Sequence, residues 1–194
     1  MIKDYWEEQH KQQNRKALTG STIHQYCKLF KLTEQCFEGK CGLEIGVGLG
    51  AATKQLSELL ANLDVLDISE TAIKNVGKYI RDGYLDSARL PKDTYDIAIS
   101  YLVAQHMSDV DLLNQLKNVV ASMKESGHLY LQWAYALHGD NPQTIEIQQG
   151  GGILRSTEKM FDLIHSLDAA VSLVSSRAIN SNVIWYAAQV RRIL

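Results

Sequence analysis

Hydrophobic and polar positions change period repeatedly along the chain. Short, largely apolar runs at residues 41–45, 64–68, 95–101 and 128–133 predict strands. The stretches between them carry apolar residues three and four apart. Leu56, Leu59 and Leu60 mark a helix over residues 51–61, and Ala72, Ile73 and Val76 mark another, capped by Ser69. Leu112, Leu113, Leu116, Val119, Val120 and Met123 form the stripe of a third over residues 109–123. A weak strand is expected at residues 78–80 and just beyond. Strands alternating with helices predict right-handed βαβ units and a parallel sheet.

Both ends break this alternation. Residues 1–40 are polar and helical in pattern. Trp6, His10 and Gln13 share one helical face, and Ser21 or Thr22 can cap a second helix bearing Ile23, Tyr26, Cys27, Leu29 and Phe30. Tyr5 and Trp6 either pack this cap on the core or close it over a ligand as a lid. At the other end, Ser156 caps a helix, and strand-like runs follow at residues 170–175 and 183–190. The polar segment between these runs is too short for a crossover, so they are expected to pair antiparallel.

The 194 residues suit one domain: a helical cap over 1–40, a core over 41–135, and a loop with a hairpin over 136–194. With 45% hydrophobic and 22% charged residues, the composition is that of an ordinary globular chain. A formal net charge of −2 gives no strong nucleic-acid signal. No apolar run approaches the ~18 residues of a membrane span. Cys27, Cys36 and Cys41 lack metal-ligand spacing, so we expect reduced thiols in a cytoplasmic protein and no metal.

The chemistry concentrates at residues 41–53. Gly46, Gly48 and Gly50 stand at alternate positions between a strand and a helix. Such a turn brings main chain close to a ligand, and the N–H groups of the following helix face an anionic group. Two nucleotide readings fit. Gly46-x-Gly48-x-x-Ala51 matches a dinucleotide fingerprint, with Asp67 about twenty residues on. Glu44-x-Gly46-x-Gly48-x-Gly50 matches the first motif of S-adenosylmethionine (SAM) methyltransferases.

Three further pieces fall in order: Val65-Leu-Asp67-Ile-Ser-Glu-Thr-Ala-Ile73, Asp86-Ser-Ala-Arg-Leu-Pro91, and Tyr95-Asp-Ile-Ala-Ile-Ser100 with His106 beyond. With these the chain resembles the class I SAM-dependent methyltransferases in their small generic form, closely over residues 41–135 and loosely in the tail. The resemblance implies a three-layer, Rossmann-like α/β fold. Its seven-stranded, mostly parallel sheet has order 3-2-1-4-5-7-6, an antiparallel last strand and an N-terminal helical lid. It implies SAM as cofactor and S-adenosylhomocysteine (SAH) as product. The glycine turn would run under the methionine and ribose, and Glu44 would face the methionine ammonium. Asp67 would take the ribose hydroxyls, since a carboxylate is acceptor-only with two oxygens. Asp86 and the Ser87 amide would meet the adenine, sandwiched by Ile68 and Leu85, with Ser100 also at the cofactor.

Acceptor groups are expected after strands 4 and 5 and on the lid: Tyr5, Tyr101, Gln105, Trp133, Tyr135, His138 and Arg155, the last for an anionic group. His106 is the candidate base, since histidine titrates near neutrality. Ser100-Tyr-Leu-Val103 lacks the Asn/Asp-Pro-Pro-Tyr of adenine or glutamine N-methyltransferases, and no cysteine follows strand 4. Asp140-Asn141 lies too far past Trp133 for a metal-dependent catechol-type site. The expected reaction is in-line methyl transfer to an O or N nucleophile of a small molecule such as a sugar, nucleotide sugar or natural-product intermediate. The alternatives are a macromolecular methyltransferase, a NAD-type oxidoreductase and a non-catalytic SAM-binding domain.

Overall fold

Two apolar layers on one sheet organise the chain. The computed structural model describes residues 2–14, 18, 20–136, 152–180 and 183–193. Seven strands lie in the order β3-β2-β1-β4-β5-β7-β6. They are β1 (Cys41–Ile45), β2 (Asn62–Leu66), β3 (Asp82–Tyr84), β4 (Tyr95–Ser100), β5 (Met123–Ala136), β6 (Ala169–Ala178) and β7 (Val183–Arg192). The first five run parallel, and β7 pairs antiparallel with both β5 and β6. Central β1 and β4 are buried on both faces, which is why their sequences read as near-continuous apolar runs.

Among the described residues six α-helices cover the sheet: α1 (Ile2–Lys11), α2 (Ile23–Phe30), α3 (Ala51–Leu59), α4 (Glu70–Val76), α5 (Asp109–Ser122) and α6 (Thr157–His165). Ile23, Tyr26 and Phe30 of α2 and Leu56 of α3 pack with Ile97 and Ile99 on one face. Leu112, Leu116 and Val119 of α5 and Met160 and Ile164 of α6 pack with Ala98, Leu129 and Trp133 on the other. Serine hydroxyls start three of these helices: Ser69 Oγ accepts from the Ala72 N–H, Ser108 Oγ from Asp111, and Ser156 Oγ from Lys159.

The helix and strand limits differ from the sequence reading in three places. Residues 77–79 form a 3₁₀ turn, so the third strand starts only at Asp82. β5 begins at Met123, well before His128, and its register with β4 slips between Tyr95 and Ile97. α1 ends at Lys11, which leaves Gln13 beyond the helix with φ +48°.

One buried charge joins β2, β3 and β4. Asp64 is fully buried and accepts from Arg81 Nε at 3.0 Å, Arg81 Nη2 at 2.5 Å, the Asp82 N–H at 3.1 Å and the Tyr95 hydroxyl at 2.7 Å. Such a carboxylate is tolerable only because each lone pair is used.

Candidate active site

At the carboxyl ends of β1, β2 and β4, under α1, lies a cavity of about 520 Å³. That volume is within the range of small-molecule sites. Its floor is the turn after β1. Gly46 sits at φ +78°, and a Cβ there would come within 2.3 Å of Val103 Cγ2. Gly50, also at φ +78°, would meet Val76 Cγ1 at 2.6 Å. A side chain at either position would strain the backbone and collide with the wall.

Asp67 lies just past β2 and lines the cavity, 7% exposed. Its Oδ2 accepts from the Val47 N–H at 3.0 Å and its Oδ1 from the Ser69 N–H at 2.9 Å. The carboxylate is thereby fixed between the glycine turn and the start of α4, with lone pairs left over. Burial pushes its pKa up, and these amides and His10 oppose that shift.

Ile68, Leu85, Asp86 and Ser87 line the same wall. Ile68 is 37% and Leu85 43% exposed, unusual for large apolar side chains and explained by their facing the cavity. The Ala88 N–H binds Asp86 Oδ1 at 2.9 Å, and Asn118 Nδ2 of α5 donates to Ser87 Oγ at 3.0 Å.

Behind the glycine turn, Glu44 is completely buried. The Tyr26 hydroxyl donates to its Oε1 at 2.8 Å, while Oε2 has no partner among the described residues. Burial pushes its pKa up to about 7, against the Tyr26 hydroxyl, which favours the ionised form. A half-satisfied buried carboxylate next to a glycine-floored cavity suits a cationic ligand group.

The far end of the cavity is walled by Tyr101, Leu102, Gln105 and His106, and roofed by Trp6 of α1, whose ring centroid lies 4.9 Å from that of His106. Leu102 has φ +61°, and Gln132 Oε1 of β5 accepts its N–H at 2.7 Å. That left-handed residue turns the chain back so that the following 3₁₀ turn, Ala104–His106, faces the cavity.

Residues 43–131 match the sequence model of the family described as "Methyltransferase domain". The matched residues run from β1 to β5, the part of the sheet that carries the cavity. Solved structures show the same architecture at low identity. The YcgJ protein of Bacillus subtilis is 14% identical with TM-score 0.67, over 89% of this chain and 99% of its own. DhpI, solved with SAH, is 16% identical with TM-score 0.67, over 99% of this chain and 95% of its own. The [4+2]-cyclase SpnF is 10% identical with TM-score 0.67, over 88% and 80%. At these identities the likeness is one of fold, and a cyclase among the matches means that fold alone does not name a reaction. No curated protein matches the sequence.

The fold brings most of the sequence-predicted residues together. Gly46, Gly48, Asp67, Ile68, Leu85, Asp86, Ser87, Tyr101, Gln105 and His106 all line the one cavity. Glu44, Gly50 and Ser100 support its floor from behind, and the buried Ser100 hydroxyl has no partner among the described residues.

Four expected acceptor residues lie elsewhere. Trp133 is fully buried in the α5/α6 layer and stacks on Tyr186 at 5.7 Å, because its strand position faces that layer. Tyr135 packs edge-on against the same ring at 5.9 Å. Tyr5 does not line the cavity but packs edge-on against Trp6 at 5.0 Å. Arg155 is 3% exposed, and all three of its donor groups are engaged: Nε to Asp109 Oδ1 at 2.8 Å, Nη1 to the Ala104 carbonyl at 2.8 Å, and Nη2 to the Met107 carbonyl at 2.5 Å. It holds the 3₁₀ turn and offers no free charge to an anion. His138 and Asp140-Asn141 lie outside the described residues.

Trp6, one of the two residues read as packing or lid, lines the cavity, and the structure adds residues that the sequence reading did not select, among them Ile2 and His10 on α1 and Asp111, Asn114 and Gln115 on α5. The shared helical face of Trp6 and His10 was a usable signal. Nothing local marked the α5 residues, which face the cavity only because α5 crosses behind Asp86 and Ser87.

Proposed function

We propose that this protein transfers a methyl group from SAM to an O or N nucleophile of a small-molecule acceptor by in-line displacement. One observation carries the proposal: a single cavity joins Gly46, Asp67 and Asp86 to Tyr101, Gln105 and His106. In this reading Glu44 takes the methionine ammonium on its unpartnered Oε2. Gly46 and Gly48 let the main chain approach the methionine. Asp67 accepts from the ribose hydroxyls. Asp86 and the Ser87 amide meet the adenine edge between Ile68 and Leu85. Bound SAM supplies a sulfonium-activated methyl group.

The protein's own contribution is alignment, which can supply roughly 7–11 kcal/mol of such a barrier. Tyr101 and Gln105 orient the acceptor, and a ring nitrogen of His106 takes the proton that the nucleophile loses. Trp6 over His106 keeps water from this end. Because Arg155 is spent on carbonyls and Asp109, it does not select for an anionic acceptor. The three unpaired cysteines fit a cytoplasmic protein. The whole chain acts as one domain, with residues 1–40 as its cap.

Calorimetry with SAM and SAH tests the cofactor assignment. Wild-type protein should bind both, and Asp67→Ala or Gly48→Val should abolish binding. Failure of the wild type to bind either would sink the reading. Release of SAH during a metabolite screen identifies the acceptor, while SAH binding with no turnover on any acceptor would point to a non-catalytic domain.

A further inference from the structure

α1 crosses the roof of the cavity with Ile2, Trp6 and His10 turned inward, three positions spaced four apart on one helical face. Glu7, between them in sequence, fastens the helix to the start of α4. Its Oε2 accepts from the Ser69 hydroxyl at 2.7 Å and the Thr71 N–H at 3.2 Å, and its Oε1 from the Thr71 hydroxyl at 2.5 Å. Ser69 is also the residue whose N–H binds Asp67. The fastening and the ribose-binding carboxylate thus meet at one residue.

His10 lies one helical turn beyond Trp6. It is 4% exposed, lines the cavity and stands in the electrostatic field of Asp67. Its imidazole faces the cavity that Asp67 also lines, so a ligand there can meet both side chains. Asp67 can only accept. A ribose hydroxyl both donates and accepts, so it can satisfy Asp67 with its proton and still receive a donor on its oxygen. Burial lowers the pKa of His10, leaving a neutral ring with one N–H to give.

We propose that His10 is a cofactor-binding residue: its ring N–H donates to a ribose hydroxyl that itself donates to Asp67, and the Glu7 fastening on α4 delivers the ring to that point. This rests on the reading of the cavity as a SAM site.

The test pairs protein variants with altered ligands, using SAH and its 2′-deoxy and 3′-deoxy analogues in calorimetry. His10→Phe keeps the ring volume and removes the donor, and it should weaken SAH binding about tenfold, the equivalent of about 1.4 kcal/mol. His10→Gln keeps a donor and should stay within about threefold of wild type. In wild type, deleting the hydroxyl that meets His10 removes two hydrogen bonds; in His10→Phe it removes one. The penalty for that analogue should therefore shrink about tenfold in the variant, and likewise in Glu7→Ala. Unchanged affinity in His10→Phe overturns the proposal. Weaker binding with unchanged analogue penalties overturns it too, because the ring then only packs. His10→Leu supplies the same comparison if His10→Phe does not fold. A wild type that binds no SAH overturns the cofactor reading itself.

Discussion

In the proposed function Glu44 sets the pH range of cofactor binding. Burial pushes its carboxyl up to about 7, and only its ionised form attracts an ammonium. The raised value means that ionisation, and with it affinity, rises as pH climbs through 7 and declines below. SAH affinity should drop about tenfold between pH 8 and pH 6 in calorimetry. Glu44→Gln should bind weakly with no such slope. A wild-type affinity that is flat over this range would remove Glu44 from the ammonium site. Tyr95→Phe provides a contrasting residue. Its hydroxyl serves the buried Asp64, so its loss should cost about 1.5–3 kcal/mol in denaturant unfolding. Far from the cavity lining, it should leave SAH affinity unchanged.

Among the elements, two devices hold the cavity's movable parts. Arg155 clamps the carbonyls on either side of the Ala104–His106 turn. Arg155→Met takes a donor from both carbonyls and leaves Ala104 only the Met107 N–H, which should cost roughly 1–3 kcal/mol. It should also speed amide exchange at Gln105 and His106, and protection unchanged from wild type would refute the clamp. The second device is the Glu7 fastening of α1. Hydrogen bonds from Thr71 and Ser69 hold the Glu7 carboxyl at about 2, well below its ordinary 4.5. A depressed carboxylate stabilises above its unfolded value and loses that contribution as pH falls. The amides of α1 should therefore lose protection between about pH 4.5 and pH 2, and Glu7→Gln should show weaker protection already at neutrality. Neither device has a local signature. Arg155 reads equally well as a substrate ligand, and Glu7 as one more acid in a polar helix, because the partners lie 46 to 64 positions away.

The whole molecule should respond to its cofactor as a single unit. A ligand at a hundred times its Kd stabilises the folded state by about 2.7 kcal/mol, which for a chain of this size is roughly 5–10 °C in thermal midpoint. SAH should produce that shift in a melting scan, and Asp67→Ala should erase it. The strand–helix alternation and the glycine turn were legible because their information is local, while the sheet order and the cofactor wall came from the resemblance. A strand that ends in a glycine turn, a carboxylate just past the next strand, and an Asp-Ser pair after the third each carry their geometry in a few neighbouring residues. The short segment between the last two strands likewise predicts their antiparallel pairing. The acceptor end was legible only in part: Tyr101, Gln105 and His106 line the cavity, and other candidates do not. Trp133 and Tyr135 lie on the strand that helps shape the site, but strand alternation and the packing of α5 and α6 bury Trp133 in the core, and Tyr135 packs half-buried against Tyr186. His10 and Trp6 are distant in sequence from everything they face, and only the packing of α1 over β1, β2 and β4 brings them to the cavity. The amino-acid sequence alone thus determined the strand–turn–helix units and the cofactor chemistry that they impose. Tertiary structure decided which side chains roof the cavity and which are buried away from it, since that depends on contacts between segments that no local pattern encodes.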